Sequence, residues 1–271
     1  MAKKRRADEI LLSRALAGSI AEARALIMAG VVYIGEVRCD TPGQMLTEET
    51  HIEVRDKNQK YVSRGGLKLE KAIETFGIDL HGAEAMDIGA STGGFTDCML
   101  QNGAAKVYSV DVGYGQLAWK LRSDTRVVNM ERTNIRFVER EQLTGPLDFV
   151  SVDVSFISLK LILPVMRRLM KESGQAAVLV KPQFEAAREQ VGDKGVVTDW
   201  AVHREVIENC IGYALENGFD VCGLTYSPIK GPEGNIEYLL YLRRGDGQLS
   251  VAPEEIDAVV EASHEAVLAR H

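Results

Sequence analysis

From residue 85 onwards, short apolar segments alternate with helical patterns, and this alternation constrains the fold more than any other feature of the sequence. The predicted strands are residues 85–88, 106–110, 126–130, 147–153, 176–181, 220–227 and 237–241. A predicted helix at residues 65–77 precedes the first of these strands. The helices predicted between the strands are residues 95–101, 159–170 and 201–217. Seven strands with intervening helices predict a doubly wound α/β sheet, whose ligands bind beyond the carboxyl ends of the strands.

The amino-terminal residues predict a smaller α+β unit. A helix is expected over 7–16, and a second begins at the capping-box sequence Ser19–Glu22 and ends at Gly30. Short strands follow at 31–34 and around Val37. We therefore expect a small domain at residues 1–58, a linker at 59–64 and a larger α/β domain at 65–271.

Composition excludes several classes of protein. Four cysteines without a CxxC pair argue against a disulfide scaffold or a zinc site, and fit a reducing cytoplasm. No apolar run approaches the length of a membrane helix, and the basic start MAKKRRADEI lacks the apolar segment of a secretory signal. Residues 1–71 carry a net charge of +3 and the remainder −10, so a polyanion is expected to meet the amino-terminal part.

A glycine-rich segment, MDIGASTGGF at residues 86–95, follows the first strand of the sheet and opens a helix. Its spacing is GxxxGG rather than the GxGxxG of nicotinamide enzymes, and Asp87 within it would repel a phosphate. A cationic cofactor without phosphate, such as S-adenosylmethionine, suits it better. Asp111 ends the next strand, where a carboxylate can accept hydrogen bonds from ribose hydroxyls. The alternative is a glycine-rich turn that serves packing only.

Charged residues also stand at the ends of strands. Asp153 and Lys181 each follow an apolar run, and Glu237 precedes one. Lys68 lies in the helix before the sheet. A charge at a strand end is often only the return of the chain to solvent, but these four side chains are candidates to meet over a cofactor.

Several motifs together resemble the TlyA family of ribosomal RNA 2′-O-methyltransferases, also called hemolysin-A-like proteins. They are SRGGLKLEKA (63–72), DIGASTGGFTDCML (87–100), DVGYGQLAWKLR (111–122), ERTNIR (131–136), SVDVSFISL (151–159), VKPQFE (180–185) and GPEGNIEYL (231–239). The resemblance implies an S-four-type RNA-binding domain followed by an FtsJ-like, Rossmann-like methyltransferase domain. It also implies methyl transfer from S-adenosylmethionine to the 2′-hydroxyl of a cytidine in ribosomal RNA, within ribosomal subunits.

The resemblance assigns roles to particular residues. Its catalytic tetrad falls on Lys68, Asp153, Lys181 and Glu237. Lys181 is the candidate for the group at the reacting oxygen: neutral, it can take the proton, and cationic, it can orient the oxygen and stabilise its developing charge. The expected cofactor contacts are Asp87, Gly89, Ser91, Gly93, Gly94, Phe95 (through its backbone N–H), Asp111, Val112 and Asn134.

For RNA, basic residues in and beside the small domain are expected to attract the phosphate backbone. They are Arg5, Arg6, Arg14, Arg24, Arg38 and Arg64. Tyr114 and Trp119 are candidates to stack on a base, although core packing is as good an interpretation of Trp119. The five histidines show no metal spacing, so we assign no metal, and no oligomeric state is predicted.

Two other classes of function compete with this hypothesis. One is an RNA-binding assembly protein with a vestigial methyltransferase fold, against which the complete tetrad argues. The other is a membrane-active hemolysin, for which the sequence offers neither a membrane span nor a strongly cationic amphipathic helix.

Overall fold

The chain divides into two compact units, Met1–Lys60 and Tyr61–His271, here called unit 1 and unit 2. The computed structural model describes residues 4–14, 16–28, 30–35, 37–48, 50–54 and 60–268. The first three residues of the basic amino terminus and the start of the predicted linker at residue 59 lie outside the described residues. From Tyr61 onwards the predicted linker belongs to unit 2.

Unit 1 packs two short helices against small sheets. Its elements are β1 (Lys4–Arg6), α1 (Ala7–Ser13), α2 (Ile20–Met28), β2 (Val32–Ile34), β3 (Val37–Arg38), β4 (Met45–Thr47) and β5 (Ile52–Val54). Strand β1 pairs antiparallel with β4, and β2 lies between β3 and β5 in a second antiparallel sheet. Ile10, Leu11 and Ile27 from the helices are buried against Val32 and Ile52, so the unit has its own hydrophobic core.

The predicted start of α2 is confirmed in part. Ser19 Oγ accepts a hydrogen bond from the Glu22 backbone N–H, as a capping box requires. The Glu22 carboxylate, however, accepts from the N–H of Gly18 rather than from that of Ser19. After the helix, Gly30 adopts a left-handed φ of 68°, as expected for its C-terminal cap.

A buried carboxylate connects the two helices of unit 1. Asp8 is fully buried and accepts hydrogen bonds from Arg6 Nε and Nη2 at 2.9 and 2.7 Å and from Arg24 Nε at 2.9 Å. The hydrogen bonds from Arg6, and then from Arg24, lower the pKa of Asp8 to about 2 against the opposing effect of burial.

Unit 2 is built around one mixed sheet. Its strands are β6 (Glu84–Ile88), β7 (Lys106–Val110), β8 (Val127–Met130), β9 (Leu147–Val152), β10 (Met170–Val180), β11 (Phe219–Tyr226) and β12 (Tyr238–Arg244). Its helices are α3 (Gly66–Phe76), α4 (Gly94–Gln101), α5 (Trp119–Arg122), α6 (Leu163–Leu169), α7 (Pro182–Glu185), α8 (Trp200–Glu216) and α9 (Pro253–Leu268).

The strand order of this sheet is β11-β12-β10-β9-β6-β7-β8, and only β12 runs antiparallel to its neighbours. Helices cover both faces: α3 and α4 contribute to one apolar cluster and α6, α8 and α9 to the other. The predicted doubly wound, seven-stranded α/β architecture is therefore confirmed. The carboxyl ends of β6, β7, β9 and β10 meet at one edge of the sheet.

Several elements differ from the sequence prediction, beginning with α1, which ends at Ser13 rather than at residue 16. The predicted helix over 159–170 is a 3₁₀ turn at Leu159–Leu161 followed by α6, because Pro164 lacks an N–H and favours the first turn of a new helix. Met170 already pairs with Leu147 as the start of β10. The acidic segment that forms α9 was not predicted, although it begins with Pro253 and buries Ile256 and Val260.

None of the helices described within residues 4–268 combines the length and the apolar character that crossing a bilayer requires.

Asp8→Asn is expected to destabilise unit 1 at neutral pH. A carboxyl whose pKa falls to about 2 on folding contributes about 2 kcal/mol above its unfolded pKa, and this stabilisation is lost as pH falls from about 4 to about 2. Hydrogen exchange of α1 and α2 amides, corrected for intrinsic rates, measures it. Wild type and Asp8→Asn should differ at pH 7 and converge only below about pH 2.

Asp40→Asn provides the control, because Asp40 forms an exposed ion pair with Arg38 and such pairs contribute little. An Asp8→Asn variant with the exchange protection of Asp40→Asn at pH 7 would contradict the importance of the buried carboxylate.

Candidate active site

The glycine-rich segment forms a tight loop between β6 and α4. Gly89 has a φ of 87°, and a Cβ there would overlap the backbone carbonyl of Asp153 at the end of β9. Only glycine therefore permits the approach of these two loops. Ser91, with a φ of 47°, donates its backbone N–H to Asp111 Oδ2 at 2.8 Å, which ties the loop to the end of β7.

A cleft of about 460 Å³ opens beyond this edge of the sheet. Its walls come from the ends of β6, β7 and β9 and from the loop after β8. The lining residues are Ile88, Gly89, Ser91, Val110, Asp111, Val112, Gln116, Thr133, Asn134, Ile135, Asp153, Val154, Ser155, Phe156, Ile157 and Ile162. The volume lies within the range of small-molecule sites.

The chemistry of the lining suits a cationic ligand. Asp111 and Asp153 present carboxylates to the cleft, and none of the described residues that line it is Lys, Arg or His. Each carboxylate oxygen of Asp111 accepts one backbone N–H, from Ser91 at 2.8 Å and from Gly113 at 2.7 Å. Since such an oxygen has a further lone pair, Asp111 is fixed in place and still able to accept from hydroxyls. A phosphate would meet only negative charge here.

The predicted cofactor residues fall into two groups. Gly89, Ser91, Asp111, Val112 and Asn134 line the cleft, whereas Asp87, Gly93, Gly94 and Phe95 do not. The ring of Phe95 is buried in the core beneath α4, so any contact it makes with a ligand is limited to its backbone. A Cβ at Gly94 would overlap Ser63, which packs against the start of α4.

Asp87 lies in the core beneath the cleft, away from its walls. Its side chain is fully buried and accepts hydrogen bonds from the N–H and Oγ1 of Thr96, at 2.8 and 2.7 Å, and from Ser151 Oγ at 3.3 Å. Burial raises the pKa of Asp87 to about 7, although the hydrogen bonds from Thr96 oppose the shift. Asp87 therefore holds the first turn of α4 beneath the glycine-rich loop, and its carboxylate does not line the cleft.

The structure brings the four expected catalytic side chains together. Lys181, directly after β10, places Nζ 2.5 Å from Asp153 Oδ1 and donates to Ser155 Oγ at 3.2 Å. Lys68 on α3 places Nζ 3.7 Å from Asp153 Oδ2 and 2.5 Å from Glu237 Oε2. Asp153 thus lies between the two ammonium groups, and it also borders the cleft.

Burial makes this cluster interdependent. The side chains of Lys68 and Lys181 are 8% and 7% exposed and that of Glu237 is fully buried, whereas Asp153 is 20% exposed. Two cations and two anions balance, which offsets the cost of removing them from water. Gly231 lies against the Glu237 carboxylate, where a Cβ would overlap Oε1.

A brace connects the loops that carry Asp153 and Lys181. Glu185, at the end of α7, accepts hydrogen bonds from Ser158 Oγ and the Leu159 backbone N–H, both at 2.7 Å. Within the brace the rings of Phe156 and Phe184 lie 4.8 Å apart. Burial raises the pKa of Glu185, and its two hydrogen bonds oppose that shift. The separation of the loops that carry Asp153 and Lys181 is therefore fixed by other side chains, above all Glu185.

Of the exposed aromatic and basic residues around the cleft, the sequence analysis identified Tyr114 and Trp119 but not Phe156, Phe137, Arg132 and Arg136. Phe156 is 90% exposed and has a φ of 63°, a strained conformation for a residue with a side chain. The Arg132 guanidinium lies 4.0 Å from the centre of the Tyr114 ring, and Arg136 lies 5.7 Å from that of Phe137. The sequence pattern that could have identified the residues after β8 is the close succession of Arg132, Arg136 and Phe137.

The aromatic rings at this edge are directed to solvent. Tyr114, Trp119 and Phe137 are 67%, 66% and 73% exposed. Core packing of Trp119, one of the two interpretations of the sequence, is therefore wrong.

The arginines expected to bind RNA are mostly engaged within unit 1. Arg5 pairs with Glu48 and Glu9, Arg6 and Arg24 with Asp8, and Arg38 with Asp40, while Arg14 donates to the carbonyls of Glu48 and Thr50. These carboxylates offset the charge of four of the arginines. Among the described residues of unit 1, Arg14 forms no ion pair and donates to backbone carbonyls instead. Arg64 in unit 2 is exposed.

Comparisons with known proteins agree with this geometry. The FtsJ-like methyltransferase family matches residues 61–244. The chain is 42% identical to the 16S/23S rRNA (cytidine-2'-O)-methyltransferase TlyA of Mycobacterium tuberculosis, over 98% of this chain and 99% of that protein. It is 50% identical to the candidate rRNA methyltransferase YqxC of Bacillus subtilis, over 97% and 95% of the two chains.

A solved structure of a candidate hemolysin from Streptococcus thermophilus superposes on this chain with a TM-score of 0.81. The two are 44% identical, and the match covers 100% of this chain and 99% of that one.

Asp87→Asn is expected to remove a pH dependence from the stability of unit 2. Because the pKa of Asp87 rises to about 7 on folding, the wild-type free energy of unfolding should fall as pH rises from about 4 to about 7 and then level off. Asparagine can still accept from Thr96, so the fold should persist without this slope. Urea unfolding followed by tryptophan fluorescence measures it, since both tryptophans lie in unit 2.

The exposed Asp246 offers a matched control, and Asp246→Asn should keep the wild-type pH profile. A profile for Asp87→Asn that coincides with that of wild type across pH 4–8 would show that Asp87 is ionised throughout this range.

Proposed function

The chain belongs to the TlyA-like members of the FtsJ-like methyltransferase family, and from this premise we propose that it transfers a methyl group from S-adenosylmethionine to the ribose 2′-hydroxyl of a cytidine in ribosomal RNA. This is the activity that the motif resemblance implied. The observation that carries the proposal is the position of Asp153, which is shared between the Lys68–Lys181–Glu237 cluster and the wall of a cleft suited to a cationic ligand.

The cleft supports the choice of cofactor. S-adenosylmethionine supplies an electrophilic methyl group on a positively charged sulfur. We assign Asp111 to its ribose hydroxyls, because both carboxylate oxygens are fixed by backbone N–H groups and face the cleft. Gly89, Ser91, Val112 and Asn134 complete the walls, and the absence of Lys and Arg among the described lining residues disfavours a phosphorylated cofactor.

Lys181 is assigned to the substrate oxygen. A tetrahedral nitrogen has three positions besides Cε, and Asp153 and Ser155 occupy two of them. The third position is available to the ribose 2′-hydroxyl. A hydroxyl is a poor nucleophile until its proton is removed or its developing charge is stabilised, and a positioned amine serves either purpose. Ion pairs with Asp153 and Glu237 hold the two lysine side chains in position.

The cleft edge and unit 1 supply contacts for the RNA. Phe156, Tyr114 and Phe137 are exposed rings on which an unstacked base can stack, and Arg132 and Arg136 place positive charge beside two of them. We further propose that unit 1 is an S-four-type RNA-binding domain in which Arg14 and the exposed faces of the paired arginines meet phosphates. An enzyme with this substrate acts where ribosomal subunits are assembled, in the cytoplasm.

Asp111→Ala is expected to weaken S-adenosylmethionine binding by about 1–3 kcal/mol, because two hydroxyls lose a charged acceptor. Isothermal titration calorimetry measures the change. Asp124→Ala, which removes an aspartate that pairs with Arg126, is the control and should bind with wild-type affinity. Equal affinities of the two variants would place the ribose of the cofactor elsewhere.

Lys181→Ala is expected to lower kcat for methyl transfer to ribosomal subunits by about 10² or more while cofactor affinity stays within a few-fold of wild type. Lys171→Ala is the control, since Lys171 lies on the same strand and also pairs with an aspartate, Asp148. Lys181→Arg then separates the two roles, because a guanidinium keeps the charge but does not take up a proton. Near wild-type turnover by Lys181→Ala would refute the assignment.

A further inference from the structure

A second cavity lies on the far side of the catalytic cluster from the cofactor cleft. It has a volume of about 200 Å³ and is lined by Lys71, Tyr226, Ser227, Pro228, Ile229, Lys230, Ile236, Ser263 and Ala266. Tyr226 ends β11 and Ile236 just precedes β12, so the cavity opens at the sheet edge that also carries the catalytic cluster. Along this edge the order is cofactor cleft, catalytic cluster, second cavity.

Two elements of the catalytic cluster extend into the walls of this cavity. Lys71 lies three residues after Lys68 on α3, a spacing that places both on the same side of a helix. Ile236 directly precedes Glu237, and Gly231, next to Lys230, lies against the Glu237 carboxylate. The two lysines of the cavity are therefore held by the same segments that hold Lys68 and Glu237.

The charge of the cavity is unbalanced. Lys71 and Lys230 are both half-buried, and among residues 60–268 neither has a carboxylate oxygen within 4.0 Å. By contrast, the two lysines of the catalytic cluster are paired with acids: Lys68 with Asp153 and Glu237, and Lys181 with Asp153. The net charge after residue 71 is −10, so a polyanion finds little general attraction on unit 2 and depends on local positive charge near the reaction centre.

The turn that carries Lys230 is well ordered by its own hydrogen bonds. Ser227 donates its N–H to the Glu237 carbonyl at 2.8 Å and its Oγ to the Ile229 carbonyl at 2.5 Å, and the Gly231 N–H donates to Asn235 O at 2.9 Å. Lys230 thus enters the wall of the cavity from a fixed backbone, and Lys71 and Tyr226 line the same cavity.

We propose that this cavity binds a backbone phosphate of the RNA strand that flanks the target nucleotide. The inference rests on the proposed function. It adds the path of the RNA strand beyond the target ribose, which is bound at Lys181. Lys71 and Lys230 supply the positive charge, and the half-buried Tyr226 ring borders the adjoining sugar. Contacts of this kind position a substrate without reading its sequence.

The test compares methyl transfer to ribosomal subunits by the full chain and by Lys71→Ala/Lys230→Ala over a range of salt concentrations. Loss of two phosphate contacts should raise KM for RNA about tenfold and lower the slope of log KM against log salt by about 1.4, the value for a single strand. The kcat at saturating RNA and the affinity for S-adenosylmethionine should change less than threefold. Lys71→Arg/Lys230→Arg should restore the wild-type KM, because it keeps both charges.

The control is Lys106→Ala/Lys171→Ala, which removes the same net charge. Lys106 and Lys171 lie at the amino-terminal ends of β7 and β10, at the edge of the sheet away from the catalytic cluster, so this variant should keep the wild-type KM and salt slope. An unchanged KM and slope for Lys71→Ala/Lys230→Ala would overturn the inference while the wild-type turnover upholds the proposed function. Inorganic phosphate could also stabilise wild type but not Lys71→Ala/Lys230→Ala, while the KM for RNA is the same for both. That result would identify a site for a small phosphorylated ligand and would also overturn the inference. If wild type transfers no methyl group to RNA, the proposed function fails first and the inference fails with it.

Discussion

The arrangement of unit 2 depends on a balance of four charges at one edge of the sheet. Lys68, Lys181 and Glu237 are removed from water, and Asp153 lies between the two ammonium groups. Removing one partner from such a buried set costs about 3–5 kcal/mol, because it leaves an uncompensated charge. The ends of β9 and β10, the start of β12 and the first turns of α3 must therefore meet at one point. The same meeting point places Asp153 in the wall of the cofactor cleft, so the structural constraint and the proposed chemistry share one residue.

Much of this site follows from the sequence, because charges that end neighbouring parallel strands must converge at one edge. That rule predicts the meeting of Asp153 and Lys181. The position of Glu237 at the start of a strand and of Lys68 in the preceding helix made them candidates for the same place, and the motif resemblance added their catalytic roles. The rest depends on tertiary contacts that no local pattern encodes. Asp87 has the same sequence signature whether it faces a ligand or Thr96 and Ser151, and only the fold buries it. Likewise, the hydrogen bonds that Glu185 accepts from Ser158 and Leu159 join residues 27 and 26 positions apart, and no local pattern encodes them.

Pairing matters more than net charge for how this protein would meet RNA. The arginines of unit 1 make residues 1–71 basic overall, yet Asp8 binds two of them and Asp40 a third. Unit 2 is acidic overall, yet Arg132 and Arg136 lie beside exposed rings, and Lys71 and Lys230 face a cavity without a paired acid among the described residues. Recognition of a phosphate backbone is local, since screening limits the reach of surface charges to about 10 Å. The contacts that hold RNA are therefore expected on both units.

The most direct test of the central claim is the chemical identity of the product. Unmodified ribosomal subunits are incubated with the full chain and S-adenosylmethionine, and the RNA is digested to nucleosides and analysed by mass spectrometry. Because a positioned amine such as that of Lys181 can activate a ribose hydroxyl, the account predicts that wild type forms 2′-O-methylcytidine and that Lys181→Ala does not. A methyl group on a base, or 2′-O-methylcytidine formed equally by Lys181→Ala, would contradict it.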